Sequence, residues 1–190
     1  YPDNTKEGFF HNVFKVVTFK KDALGKTSTI TYDDNFHPDT IINEKNQKTV
    51  AEYDRFGNPV LQILPGNRTY TSKFNRFQKP TEIANPLGNK ILFDYNSTTG
   101  NLLTISFPDT SVRKFNYNGN GTTKFYVDGR GDTTYYFYNS YGDLIKIGTP
   151  TGNKFFGYNA DGRLDSLKDE NRNLTLLYYD NNGNIKQIKD

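Results

Sequence analysis

The chain has 190 residues and a mass of 21.8 kDa, with 24 basic and 21 acidic side chains interspersed to a net charge of +3. That balance argues against a dedicated nucleic-acid or membrane face. No run approaches the ~18 apolar residues of a membrane-spanning helix, and the absence of Cys excludes disulfides, thiolate zinc sites and thiol nucleophiles.

Aromatics make up 15% of the chain, as 15 Phe and 14 Tyr, and Asp with Asn supply 39 residues beside 16 Gly. Such a composition predicts many short elements joined by tight turns, with rings holding the fold together. The chain opens on Tyr1, as a piece of something longer would, and carries no basic n-region followed by an apolar h-region.

Residues 1–21 read as a degenerate repeat or the cut end of a preceding one, with a strand expected over 13–19. From residue 22 the organisation is periodic. An aromatic residue followed by Asp or Asn recurs at Tyr32, Tyr53, Phe74, Tyr95, Tyr117, Tyr138, Tyr158 and Tyr179, at intervals of 21, 21, 21, 22, 21, 20 and 21 residues. Composition alone would produce several such dyads; the common register is the signal. A Gly follows at a fixed offset at Gly57, Gly121, Gly142, Gly162 and Gly183, and one residue later at Gly100, which accounts for the longest interval. Second turns fall mid-period at 22–25, Pro65-Gly66, 85–88, 128–131, 149–152 and 169–173. Each repeat is therefore expected to run strand, turn, strand, turn, with strands of about 6–7 residues. Residues 22–190 read as one repeat array, and no helix is expected because no long stretch combines a 3.6-residue period with caps.

Strand side chains alternate, so the residue two before each anchor shares its face. These are Ile30, Ala51, Ser72, Phe93, Phe115, Tyr136, Phe156 and Leu177. Their neighbours on the opposite face begin polar (Thr31, Glu52, Lys73, Asp94, Asn116) and end less so (Phe137, Gly157, Tyr178). One face is expected to be buried and the other wet, with the anchors stacked as an aromatic ladder. After the turn Gly an aliphatic residue recurs at the second and fifth positions, as at Leu144 and Ile147 or Leu164 and Leu167. An interval of three cannot keep both on one face of a regular strand, so either a bulge follows the turn or the first of them packs from the turn itself.

These residues resemble the RHS/YD-repeat family, most clearly at Tyr158-Asn159-Ala160-Asp161-Gly162-Arg163-Leu164, at 53–58 and at 179–185. Phe74-Asn75 departs from the Tyr-Asp dyad, and Phe36 and Gln78 stand in place of Gly, so those two turns are expected to be distorted or of another type. The resemblance implies an all-β fold of tandem hairpins of about 21 residues forming one long, curved antiparallel sheet, part of a spiral shell. It also implies that such shells, in bacterial toxins, enclose a cytotoxic C-terminal segment. The self-cleavage element of full shells has no match here.

Candidate chemistry is sparse. His11 and His37 lie in irregular sequence without converging partners, and Asp33-Asp34 and Asp169-Glu170 are better read as turn openers than as Ca²⁺ ligands. Gly-rich 118–121 and 128–131 precede no helix and make no phosphate cradle. Sequons at Asn67, Asn96, Asn120 and Asn173 are expected by chance in so Asn- and Thr-rich a chain. Tyr135, Phe137 and Tyr178 would face away from the anchors and are candidates for stacking on carbohydrate. No catalytic, metal or cofactor site is expected. The leading function is a structural segment of a secreted or cell-surface shell enclosing or delivering a toxin, partnered by flanking repeats and the enclosed segment, from a bacterium whose abundant Asn and Lys suggest a Gram-positive source. The alternative is a carbohydrate- or cell-wall-binding module. Unpaired edge strands would favour edge-to-edge self-association.

Overall fold

A computed structural model describes residues 7–190, so residues 1–6 of the expected degenerate repeat lie outside the described residues. Two compact units follow one another, one up to Phe93 and one from Asp94. The first holds β1 (Gly8–His11), β2 (Val17–Lys21), β3 (Thr27–Tyr32), β4 (Pro38–Ile42), β5 (Lys48–Tyr53), β6 (Pro59–Leu64), β7 (Arg68–Phe74), β8 (Pro80–Ala84) and β9 (Lys90–Tyr95), which runs just past the boundary. The second holds β10 (Leu102–Ser106), β11 (Val112–Tyr117), β12 (Thr123–Val127), β13 (Thr133–Tyr138), β14 (Leu144–Thr149), β15 (Gly152–Tyr158), β16 (Leu164–Lys168), β17 (Leu174–Tyr179) and β18 (Ile185–Lys189). Within each unit every strand pairs antiparallel with its neighbour in sequence, as a string of hairpins. No helix forms among the described residues.

The strand expected over 13–19 is displaced. Residues 12–16 form a turn in which Asn12 N–H donates to the Val16 carbonyl at 3.0 Å, and the strand starts only at Val17. Asn12 opens this loop as Asp and Asn open the later ones: its Oδ1 accepts from Phe14 N–H at 3.0 Å.

One loop recurs through both units. At Asp54 the N–H donates to the Asn58 carbonyl (2.9 Å) and the Asp54 carbonyl accepts from Gly57 N–H (3.0 Å). Asp54 Oδ1 also accepts from Phe56 N–H and Asn58 N–H at 2.8 and 3.0 Å. The fourth residue must then be left-handed, and Gly57 sits at φ 83°. This is a tight turn closed by a left-handed residue that leads into a bulge. Phe36 and Gln78 make the same loop, with φ of 65° and 58° and N–H bonds of 3.0 and 2.9 Å to the carbonyls of Asp33 and Asn75. The distortion expected of those two turns does not occur, because the hydrogen bonds of the loop outweigh the ~1 kcal/mol strain of one left-handed side chain.

Thr110 carries the same strain at φ 68° with a β-branched side chain. Thr110→Gly is expected to stabilise the fold by about 1 kcal/mol and Gln78→Gly by somewhat less, the flexibility of Gly in the unfolded chain offsetting part of the gain. Urea denaturation of the two variants beside the parent measures both, and a lower midpoint for Thr110→Gly contradicts the expectation.

The three-residue interval is explained by a bulge at the anchor. Tyr138 pairs with Leu144 whereas Phe137 pairs with Lys146, leaving Ile145 as the extra residue. The same shift occurs at Tyr32, Tyr53, Phe74, Tyr117, Tyr158 and Tyr179. With one residue extruded, Leu144 and Ile147 both lie on the anchor face, paired with Tyr138 and Tyr136. Pro38, Pro59 and Pro80 occupy the Leu144 position in their repeats, at the start of a strand beside a bulge, where proline is tolerated in a sheet.

The expected division between faces is seen in degree on the anchor-bearing strands, where Ile30, Ala51, Ser72 and Phe93 are half-buried and Thr31, Glu52, Lys73 and Asp94 exposed, but the anchor face is not sealed. Among the described residues the buried side chain is Ala84, at 8% exposure, and it lies on the face opposite the anchors. A single layer of sheet has no second layer to pack against, so neither face becomes a sealed core.

Candidate functional site

The anchors stand on alternate strands, so consecutive rings are two strands apart, about 9.6 Å. That exceeds the ~4.5–7 Å of ring contact, and the expected ring-on-ring ladder is replaced by another link. Tyr32 Oη donates to the Val17 carbonyl at 2.6 Å and Tyr53 Oη to the Pro38 carbonyl at 3.0 Å. In the second unit Tyr158 reaches the Leu144 carbonyl at 2.9 Å and Tyr179 the Leu164 carbonyl at 2.6 Å. Each acceptor lies two residues beyond the left-handed residue of the preceding repeat, at the bulge. In these four repeats the anchor thus ties its repeat to the one before, which a phenylalanine cannot do. Burial lifts the phenol pKa of Tyr95, Tyr117, Tyr138 and Tyr158 above the ordinary 10.0, with small additions from Tyr136 at Tyr138 and from Asp143 at Tyr158.

A second link joins successive turns. The His37 ring stacks on Tyr53 at 4.7 Å, its Nδ1 lies 3.0 Å from Asp33 Oδ2, and its Nε2 lies 2.8 Å from where a Cβ on Gly57 would stand. In the second unit Arg163 holds the same place after its turn. Its guanidinium lies 5.7 Å from the Tyr179 ring centroid and 2.7 Å from a Cβ built on Gly183. Gly57 and Gly183 therefore serve both backbone conformation and space for the neighbouring repeat.

On the face away from the anchors, Tyr135 and Phe137 are 48% and 44% exposed and line one groove with Gly148 and Asn153. Phe125 lies 6.0 Å from Tyr135, and the Lys146 ammonium sits between Phe137 (5.0 Å) and Phe155 (5.6 Å). Tyr178, also 44% exposed, is not brought to them; it lines a separate, more acidic hollow with Arg163, Asp165 and Ser166. In the first unit, turn tips at Phe14, Phe36, Phe56 and Phe77 expose a ring each along one rim, with Arg55 over Phe56 at 4.6 Å and Arg76 over Phe77 at 4.8 Å.

The acidic residues work within turns. Asp33 Oδ1 accepts from Asn35 and His37 N–H, Asp169 accepts from Asn173 at 2.8 and 2.7 Å, and Glu170 pairs with Lys154 at 3.2 Å. The Asn58 side-chain amide, then the backbone N–H groups of Asn58 and Phe56, hold Asp54 below the ordinary 3.8 against its desolvation. The Asn173 amide does the same at Asp169, and the Asn184 backbone N–H and amide at Asp180. A carboxyl whose pKa is lower in the folded chain adds stability that is complete above the unfolded value and is lost as pH falls through the folded one. The denaturation midpoint should be flat from about pH 7 to 5 and fall below about 4. An Asp54→Asn, Asp169→Asn, Asp180→Asn variant should flatten that fall, since Asn opens the turn at 139 with the same bonds to Tyr141 and Asp143 N–H. An unchanged acid limb in urea titrations at several pH values contradicts this source.

A model of the teneurin YD-shell matches residues 11–190. The chain belongs to the teneurin YD-shell family. Double-stranded DNA deaminase toxin A of Burkholderia cenocepacia is 25% identical to this YD-shell segment over 142 residues, which is 74% of the segment and 10% of that protein. The crystal structure of TcdB2-TccC3-Cdc42 superposes with a TM-score of 0.69 at 13% identity, covering 90% of this chain and 12% of that one. A Photorhabdus luminescens Tc holotoxin pore gives a TM-score of 0.59 at 11% identity over 97% of this chain and 13% of its own. At such identities the likeness is one of fold, and the YD-shell segment spans about a tenth of the length of these proteins. The fold supports a structural shell role.

The hydroxyl link and the turn-to-turn link are absent from a reading of periodicity. One signal for the first is present: seven of the eight anchors are Tyr and only Phe74 is not, a preference that hydrophobicity does not explain. For the second, the positively charged Arg163 directly after Gly162 is the only clue in sequence.

Proposed function

We propose that this chain is a stretch of wall in a secreted or surface-displayed YD-repeat shell that encloses and delivers a C-terminal toxin segment. It performs no chemistry of its own. The observation that carries this reading is the single layer of sheet, which among its described residues buries no large apolar side chain and leaves apolar groups half-covered on both faces. A protein built to stand alone would close a second layer over such a sheet; a wall meets cargo or solvent on its faces and flanking repeats at its borders. The Phe14, Phe36, Phe56 and Phe77 rim offers those repeats an apolar contact that the hairpins themselves do not need. The toxin name of the B. cenocepacia relative and the toxin complexes among the similar folds favour a toxic cargo.

Limited proteolysis of the full open reading frame tests it. The segment following the repeats should resist protease in the native protein and become sensitive once the repeats are unfolded. Cleavage of that segment at the rate of its isolated form would overturn enclosure.

A further inference from the structure

We propose that Asn118 is a site of spontaneous self-modification: the Gly119 backbone nitrogen closes on the Asn118 side-chain amide and expels ammonia, and water opens the resulting cyclic imide to aspartate or to isoaspartate, the latter loosening the β11–β12 hairpin. This site is independent of the enclosure reading.

Three asparagines precede glycine in the chain, Asn118, Asn120 and Asn182. Such closure meets least hindrance before glycine, since no Cβ shields the attacking nitrogen. Which of the three reacts is decided by the hydrogen bonds that this nitrogen must give up. Gly121 N–H donates to the Asn118 carbonyl at 2.9 Å and Gly183 N–H to the Asp180 carbonyl at 3.0 Å, each closing its own loop. Both must lose that bond before they attack. Gly119 N–H, one position into its turn, donates to no group among the described residues.

The amide of Asn118 is set apart as well. Other loop openers hold their Oδ1 with two backbone N–H groups: Asn139 accepts from Tyr141 and Asp143 at 2.9 Å, and Asn159 from Asp161 and Arg163 at 3.0 Å. At 118 that arrangement is broken by Asn120, whose Oδ1 takes Thr122 N–H at 3.2 Å and the Thr122 hydroxyl at 2.7 Å. Asn118 keeps one side-chain bond, from Nδ2 to Thr122 Oγ1 at 2.9 Å, and its Oδ1 accepts none among the described residues. Asn120 thus combines a tied nitrogen with a tied carbonyl, and Asn118 has neither.

Water has access to the reacting atoms. Gly119 is exposed, and Asn118 lines a hollow of about 500 Å³ with Asn96, Thr99 and Asn101. That hollow contributes no carboxylate, imidazole or amine, so hydroxide takes the Gly119 proton. The new N–Cγ bond replaces the Cγ–Nδ2 bond, and Nδ2 leaves as ammonia with a proton from water. Water adding at Cγ then restores the original main chain as aspartate. Water adding at the main-chain carbonyl leaves the chain running through Cβ and Cγ as isoaspartate.

The two products differ in consequence. Aspartate opens the equivalent loop at Asp33, Asp54 and Asp180, so that form fits. Isoaspartate adds a carbon to the main chain where Asn118 N–H must meet the Thr122 carbonyl (2.8 Å) and Tyr117 must pair with Thr123. The hairpin then loses its closure.

The test is peptide mapping by mass spectrometry of the 190-residue chain held in mildly alkaline buffer, native and in urea. The native chain should gain acid at 118 before 120 and 182, as an aspartate and isoaspartate pair, at a rate proportional to hydroxide. In urea the three sites should react at like rates, because no loop then ties Gly121 and Gly183. Gly119→Ala should slow the native reaction by about tenfold, equivalent to ~1.4 kcal/mol in the barrier. Its methyl meets nothing within 4 Å and Gly119 is not left-handed, so the variant keeps the loop. Native-state hydrogen exchange should quicken in β11 and β12 of the modified chain, while Asn118→Asp exchanges as the parent does. The proposal is overturned by native modification at 118 no faster than at 120 and 182, by the same lead of 118 in urea, by a parental rate in Gly119→Ala, or by unaltered exchange after modification.

Discussion

Tyr158→Ala is expected to destabilise the chain by about 2–3 kcal/mol, and Tyr158→Phe by about 1 kcal/mol. The alanine removes a half-buried ring from the anchor face together with its hydroxyl bond to the Leu144 carbonyl. A fully buried aromatic would cost ~3–5 kcal/mol, and partial exposure reduces that. The phenylalanine removes the hydrogen bond alone, worth roughly 0.5–1.5 kcal/mol. Because repeat arrays are held by nearest-neighbour contacts, the loss should concentrate on β14 to β16 rather than spread along the chain. Native-state hydrogen exchange reads this directly. Amides in those strands should exchange faster in Tyr158→Ala while β3 to β5 are unchanged. Equal effects of Ala and Phe would show that the hydroxyl carries the whole contribution, and no effect of Phe that the ring does.

Gly57→Ala is expected to cost about 2–3 kcal/mol, against about 1 kcal/mol for Gly121→Ala. Both positions are left-handed, at φ 83° and 86°, and an alanine there pays a similar backbone penalty of ~1–2 kcal/mol. Only Gly57 also meets a neighbour: the His37 Nε2 lies 2.8 Å from the added methyl, whereas nothing lies within 4 Å at Gly121. The methyl must push the imidazole off Tyr53 and away from Asp33. A double-mutant cycle with His37→Ala isolates that part. In the His37→Ala background the penalty of Gly57→Ala should fall to that of Gly121→Ala, and a penalty that stays high would place the cost elsewhere.

These two effects mark where local and non-local information divide. The loop at Asp54 is local: its bonds join residues two to four apart, and Asp, Gly and their spacing announce it. The three-residue interval leaves a bulge and packing from the turn as alternatives in sequence, and the pairing of Tyr138 with Leu144 and of Phe137 with Lys146 decides for the bulge. Phe36 and Gln78 keep the regular loop although sequence predicts a distorted one, since the preference for Gly is worth less than the loop's four hydrogen bonds. The apolar character of Val13 predicts a strand there, but Asn12 accepts from Phe14 N–H through its side chain and holds Val13 in the turn. The candidate stacking residues divided in the same way. Alternation was enough to send Tyr135 and Phe137 to the face away from the anchors, but only the pairing of Tyr135 with Gly148 gave them a groove, and Tyr178 stands in another.

From the amino-acid order alone came the hairpin cadence and the turn chemistry, because each depends on neighbours within about five positions and repeats often enough to be counted. Strand register decided the rest: which carbonyl a tyrosine hydroxyl finds 15 residues upstream, as Tyr179 finds Leu164, which turn a histidine covers, and which row of the sheet lacks a side chain. Those depend on how many residues each turn and bulge consumes, and a change of one would move every cross-strand partner to another pair.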